Sequence, residues 1–231
     1  MTNAPQNGQR LNKFLALALG VSRRKADELI EQGSVTVNGA PAVLGQHIAD
    51  TDIVAHHGNP VSLQQHRLIM LHKPTGYLCS RASQGGVSTV YALLPKELHH
   101  LKPVGRLDKD SSGLILLTND GDLAHQMTHP SFHKIKRYLV TLDRALEPLH
   151  RQMISDFGVN LPDGRSQLGL ERQHDGDETR WIVLMSEGRN RQIRRTFAAL
   201  GYTVTKLHRT DFGNYSLGDI RRGEWREVAI S

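Results

Sequence analysis

The chain has 231 residues, a single cysteine and a formal net charge of +6. That length can bury a proper core in one large domain or in a medium domain with an appendage, and one thiol excludes an intramolecular disulfide. No window approaches the roughly 18 apolar residues of a membrane span, and the polar start MTNAPQNGQRLNKF has no apolar leader stretch, so a soluble, cytoplasmic protein with no membrane partner is expected. A monomer is expected as well.

Residues 1–9 carry no periodic pattern and read as a flexible tail. From Arg10 the pattern turns helical, with Leu11, Phe14, Leu15 and Leu19 at helical spacing and Gly20 as a stop. Ser22 can cap a second helix that buries Ala26, Leu29 and Ile30 and ends at Gly33. This helix begins Arg23–Arg24–Lys25. Positive charge there opposes the helix dipole, and a bound anion would relieve the conflict while using the free N–H donors. In VTVNGAPAVLG, Val35 and Val37 alternate with polar residues and Asn38–Gly39 is a strong hairpin signal. Two helices followed by a small β unit over 10–56 resemble the S-four RNA-binding domain. The likeness rests on RLNKFLALALGVSRRKADELIEQGSVTVNG. It implies RNA contact through Arg23, Arg24 and Lys25.

A polar linker over 57–66 leads to a second domain at 67–231. Strands are expected at 68–72, 114–118, 137–142, 180–186, 203–207 and 226–230. Helices are expected near 88–94, 121–128, 147–155 and 190–200. The fold class is therefore α+β, a small N-terminal α/β module plus a larger domain with a mixed sheet. Basic residues cluster at Arg23–Lys25, Lys134–Arg137, Arg189–Arg195 and Arg221–Arg222, which makes a polyanion such as RNA or DNA the leading partner class.

Chemistry could reside in VGRLDKDSSG, where charges stand just before the apolar run Leu114–Leu117. One reading is a calcium loop, since Asp108, Asp110, Ser112 and Gly113 fit the first half of an EF-hand. Asn119 at the twelfth position and a strand-like flank argue against it. His125, His129 and His133 are spaced by four, but Pro130 interrupts the helix that would align them as metal ligands. No phosphate-binding glycine loop is present, and Cys79 lacks an evident catalytic partner and reads as a small buried side chain. A half-buried Asp108 needs a cation, and EGRNRQIRRTFAALG offers Arg191, Arg194 and Arg195 opposite an apolar face of Ile193, Phe197 and Leu200. On the residues alone, a structural ion pair and a catalytic carboxylate remain equally open.

The stretch PVGRLDKDSSGLILLTNDGDL resembles the signature of pseudouridine synthases of the RsuA and RluF type. So do KRYLVTL at 136–142, EGRNRQIRRTFAALG at 187–201 and LHRTDFGNYSLGDIRRGEWREV at 207–228, with GRLDKDS and NRQIRR nearest the RluF-like branch. The resemblance covers nearly the whole chain from residue 10. It implies a largely antiparallel catalytic sheet and an isomerase that makes pseudouridine in ribosomal RNA, large-subunit RNA favoured over small-subunit RNA or tRNA. The RNA could be free or within a ribosome-assembly intermediate, and no cofactor or metal is implied. It further implies Asp108 as the essential carboxylate, Tyr138 as the aromatic packing on the target base, and Arg194 as the cation paired with Asp108. Leu207 is implied to line the pocket, and Arg106, Arg191 and Arg195 to contact RNA. A non-catalytic RNA-binding or assembly factor is the alternative.

Overall fold

The computed structural model describes residues 8–63 and 65–230, and residues 1–7 of the expected tail lie outside the described residues. The chain divides into two compact units between His66 and Arg67.

In the first unit, helix α1 (Leu11–Ala18) and helix α2 (Arg23–Glu31) pack on strands β1 (Val35–Val37), β2 (Ala40–Pro41), β3 (Val54–His56) and β4 (Asn59–Pro60). Leu11, Leu15, Ala26, Ile30, Val35, Val37 and Val54 form one core. The Ser22 hydroxyl accepts from the backbone N–H of Lys25 at 3.1 Å, so the cap forms where expected. Asn38 and Gly39 both take positive φ, as the two-residue hairpin turn requires. The structure differs from the sequence reading at both edges of this unit. Gln9–Arg10 pairs with His47–Ile48, which draws the end of the expected tail into the unit. At the other edge, His57 and Gly58 at positive φ turn the chain back, so β4 pairs with β3 inside the expected linker. The polar composition of HHGNP hid a turn that its backbone conformation supplies.

The second unit is built on one sheet. Its strands are β5 (Leu68–Lys73), β6 (Lys102–Val104), β7 (Ser112–Thr118) and β8 (Lys136–Leu142). A hairpin of β9 (Val159–Leu161) and β10 (Gly164–Ser166) stands apart from this sheet. The sheet continues with β11 (Gly169–Arg172), β12 (Arg180–Met185), β13 (Val204–Phe212), β14 (Tyr215–Ser216) and β15 (Trp225–Val228). The order is β11–β12–β8–β13–β7–β5–β15, with β14 on β13 and β6 on β7. Every pairing is antiparallel except β13 with β7. Helix α3 (Gly121–Thr128), helix α4 (Pro148–Gln152), which runs on as a wider turn over Met153–Phe157, and helix α5 (Gln192–Ala198) lie on this frame. The expected helix near 88–94 is only a short 3-10 turn at Val90–Leu93, because Pro95 follows at once.

The near-continuous apolar runs of β5 and β7 are covered on both faces. Leu68, Met70, Leu114 and Leu116 join Leu123, Met127 and Phe212, whereas Ile69, Leu71, Ile115 and Leu117 join Val90, Tyr91 and Leu98. Strand β8 alternates instead, so that Lys136, Tyr138, Val140 and Leu142 share its buried face. One lateral row crosses the sheet, with Gly113 beside Arg209, Arg209 beside Tyr138, and Tyr138 beside Val183. Gly113 has φ of 109°, and a Cβ there would stand 2.1 Å from the carbonyl oxygen of Arg209. Only glycine lets β7 approach β13 this closely.

Candidate active site

The loop between β6 and β7 carries Arg106, Leu107, Asp108 and Asp110. Leu107 is buried and anchors the loop, and its backbone N–H donates to Cys79 Sγ at 3.4 Å. The strongest brace was not found by sequence reasoning. Lys73, at the end of β5, is fully buried, and its Nζ donates to the carbonyl oxygens of Pro74 at 3.0 Å, Asp108 at 3.0 Å and Ser111 at 2.7 Å. A buried ammonium needs such acceptors, and here they are the backbone of the aspartate loop. Burial holds the Lys73 ammonium below its ordinary range, while Cys79, Asp108 and Asp110 oppose that shift. A lysine ending an apolar strand run was the available signal.

The arginines of EGRNRQIRR separate into distinct duties. Arg191 precedes α5 in a left-handed conformation (φ 46°) and places Nη1 3.4 Å from Asp108 Oδ2 and 4.0 Å from Asp110 Oδ2. The cation paired with Asp108 is thus Arg191, where the family resemblance pointed to Arg194. Arg194 turns inward: Nη1 donates to the Val204 carbonyl at 2.6 Å and Nη2 to the Asp110 carbonyl at 3.1 Å. Burial and the Arg191 charge lower its guanidinium, with Asp108 and Asp110 opposing. Arg195 forms a two-pronged bond with Asp163 at 3.0 and 2.7 Å, away from the aspartate loop. Asp163 lies in the β9–β10 turn and also holds Arg189 at 3.2 Å, which ties this hairpin to the start of α5.

A cavity of about 510 Å³ brings together Arg106, Asp108, Tyr138, Arg191 and Leu207. Its volume falls in the range of small-ligand sites. Arg194 and Arg195 do not line it. Tyr138 reaches it from β8 and Leu207 from β13, two strands joined in register. Arg209, directly opposite Tyr138, is buried; its Nε donates to the Leu114 carbonyl at 2.8 Å and Nη1 lies 3.5 Å from the tyrosine hydroxyl. Its place was legible in LHR, since alternation puts Arg209 on the face of Leu207.

These placements bear on the other readings. The backbone oxygen that an EF-hand would use at its seventh position belongs to Leu114 and already accepts from Arg209, while Arg191 stands between the two aspartates. The loop therefore presents a cation where calcium would need open oxygens. Among the described residues no three His, Cys, Asp or Glu side chains are grouped to hold a metal. Cys79 is half-buried, and burial raises its thiol. In the first unit Arg23, Arg24 and Lys25 are exposed at the start of α2, with Lys25 engaged by Glu28 at 2.8 Å.

Comparison with known proteins gives this geometry a family. The profile of the RNA pseudouridylate synthase family matches residues 67–199, and that of the S4 domain matches residues 9–54. The chain belongs to the RNA pseudouridylate synthase family and is an isomerase of the pseudouridine synthase class. It is similar to the ribosomal small subunit pseudouridine synthase A of Pasteurella multocida, 36% identical over 95% of this chain and 96% of that one. It is also similar to the dual-specificity RNA pseudouridine synthase RluF of Salmonella typhi, 37% identical over 95% of this chain and 75% of that one. A crystal structure of a pseudouridylate synthase, 32% identical, superimposes with a TM-score of 0.68 over 95% of this chain and 96% of that one.

Proposed function

We propose that the chain converts one uridine of large-subunit ribosomal RNA into pseudouridine, with Asp108 as the essential carboxylate. The observation that carries this is the single cavity shared by Asp108, Tyr138, Arg191 and Leu207. A uridine flipped out of its stack enters this cavity, the cost of unstacking being offset by the Tyr138 ring and by phosphate contacts from Arg106. Asp108, with Arg191 Nη1 3.4 Å from its carboxylate, attacks the uridine or its ribose so that the bond from C1′ to N1 breaks. The uracil turns and bonds to C1′ through C5 as the bond made by Asp108 breaks, which frees the carboxylate. C5 then loses its proton, with Tyr138 beside it, and N1 ends protonated, so the product is an isomer of the substrate.

Large-subunit RNA is proposed on the likeness of GRLDKDS and NRQIRR to the RluF-like branch. The alternative of small-subunit RNA has support in the name of the Pasteurella relative. Pseudouridine mapping of cellular RNA with and without the protein decides between them. A site lost from large-subunit RNA is expected; a site lost only from small-subunit RNA or tRNA overturns the substrate, and no lost site overturns the activity. Exposed Arg23 and Arg24 add sequence-independent grip on the same RNA through the first unit.

A further inference from the structure

A second cavity of about 260 Å³ adjoins the first and shares Gly105, Arg106, Tyr138, Gly188 and Arg189 with it. Its other walls include Thr128, Lys136, Glu187, Arg209 and Phe212. Arg106, Lys136, Arg189 and Arg209 share this wall with Glu187. Arg189 is paired with Glu187 at 3.3 Å and with Asp163 at 3.2 Å, and Gln192 also engages Glu187, which leaves Arg106, Lys136 and Arg209 without a carboxylate among the described residues. Positive charge is left over in a partly apolar space. Arg209 is 2% exposed and its Nη2 is buried without a hydrogen-bond partner. Its guanidinium lies over the Phe212 ring at 4.9 Å, and the Lys136 ammonium lies over the same ring at 5.0 Å. A buried guanidinium donor without an acceptor is costly unless a ligand supplies one. A phosphate offers only acceptors, whereas a nucleobase would bring donors into a site that already has too many.

We propose that this second cavity binds a phosphate group of the RNA strand whose nucleotide enters the Asp108 cavity, with Arg209 as the buried donor and Lys136 as the flanking cation. The inference rests on the functional reading above. Its geometric basis is the shared wall, since a strand that fills the first cavity lays its adjoining backbone along Arg106 and Tyr138. The Lys136 ammonium donates to the Ser186 carbonyl at 3.0 Å and meets no carboxylate among the described residues, and burial and the Arg209 charge, only partly opposed by Glu187, hold it down at about 8.

The test reads Lys136 directly. The full chain is labelled on lysine with carbon-13 and nitrogen-15, and the Lys136 titration, assigned through Lys136→Arg, is followed with inorganic phosphate and with chloride at equal ionic strength. Phosphate should raise the midpoint by about one pH unit and chloride should not. Thr128→Glu, at an exposed position of the cavity wall, should raise the midpoint without phosphate and abolish the phosphate response. No phosphate response, or one unchanged in Thr128→Glu, overturns the site. Single-stranded RNA should reproduce the shift in place of phosphate. RNA that binds without moving Lys136 assigns the cavity to a free anion and overturns the RNA source. Because the readout needs no turnover, a chain that makes pseudouridine but fails here loses only this site. A chain that passes here yet makes no pseudouridine loses only the functional reading.

Discussion

Lys73 Nζ donates to the backbone carbonyl of Asp108 at 3.0 Å, across 35 residues of sequence. The buried cation of the site therefore holds the aspartate's backbone, while the exposed Arg191 meets its carboxylate at 3.4 Å. Positioning and charge stabilisation are thus supplied by different residues. Lys73→Met should strand several buried carbonyls and destabilise the second unit by about 3 kcal/mol. Urea denaturation checks this, and a loss under 1 kcal/mol would show, roughly, that the clamp is dispensable.

Asp108→Asn should lower pseudouridine formation by roughly a thousandfold or more while RNA affinity stays within about twofold. The amide keeps the shape of the side chain and loses only the charge that faces Arg191. Product formation at the parent rate in a single-turnover assay would remove Asp108 from the chemistry.

Arg191 and Arg194 should separate cleanly. Arg191→Ala removes a half-exposed ion pair, so stability should move by no more than about 0.5 kcal/mol, whereas turnover should fall about tenfold or more. Arg194→Ala loses bonds to the Val204 and Asp110 carbonyls and should cost about 2 kcal/mol of stability. Reversed results in paired denaturation and kinetic measurements would return the Asp108 partnership to Arg194.

Gly113→Ala should be among the most damaging single substitutions. Its added methyl would meet the Arg209 carbonyl at 2.1 Å on a backbone at φ 109°, and a loss of about 3 kcal/mol or more is expected. A thermal midpoint within a few degrees of the parent would show that β7 and β13 can part without harm.

Lys136 should make the stability of the chain depend on alkaline pH. Its folded value of about 8 lies below the ordinary 10.5, so between these values the unfolded chain binds more protons. Below about 8 both states are charged and the burial penalty is full; stability should then rise with pH towards 10.5. Lys73 acts with the same sign, so Lys136→Met should flatten this rise without abolishing it. Equal slopes in denaturation midpoints of parent and variant from pH 8 to 10.5 would count against a depressed Lys136.

Arg23→Ala with Arg24→Ala should weaken RNA binding and reduce its salt slope by roughly 1.5, leaving the chemical step unchanged. Parallel salt titrations of variant and parent would exclude this pair from the RNA interface.

Many local signals were readable in the sequence because their cause is local, the His57–Gly58 turn being an exception. The Ser22 cap, the Asn38–Gly39 turn, the doubly buried run Leu114–Leu117 and the alternation of KRYLVTL all formed as their spacing dictates. The family resemblance also implied Asp108, Tyr138 and Leu207 as residues of one site, and all three line one cavity. What the sequence could not decide was which of three closely spaced arginines meets Asp108, or that Lys73 would hold the loop. Those choices depend on the direction in which each side chain leaves its backbone. Arg191 sits at φ 46° ahead of α5, and Arg194 is captured by the Val204 carbonyl of a later strand. Nor is the Gly113–Arg209–Tyr138 row written in any one motif. It exists because strand register joins segments almost a hundred residues apart, and register is settled only when the whole sheet closes on its core.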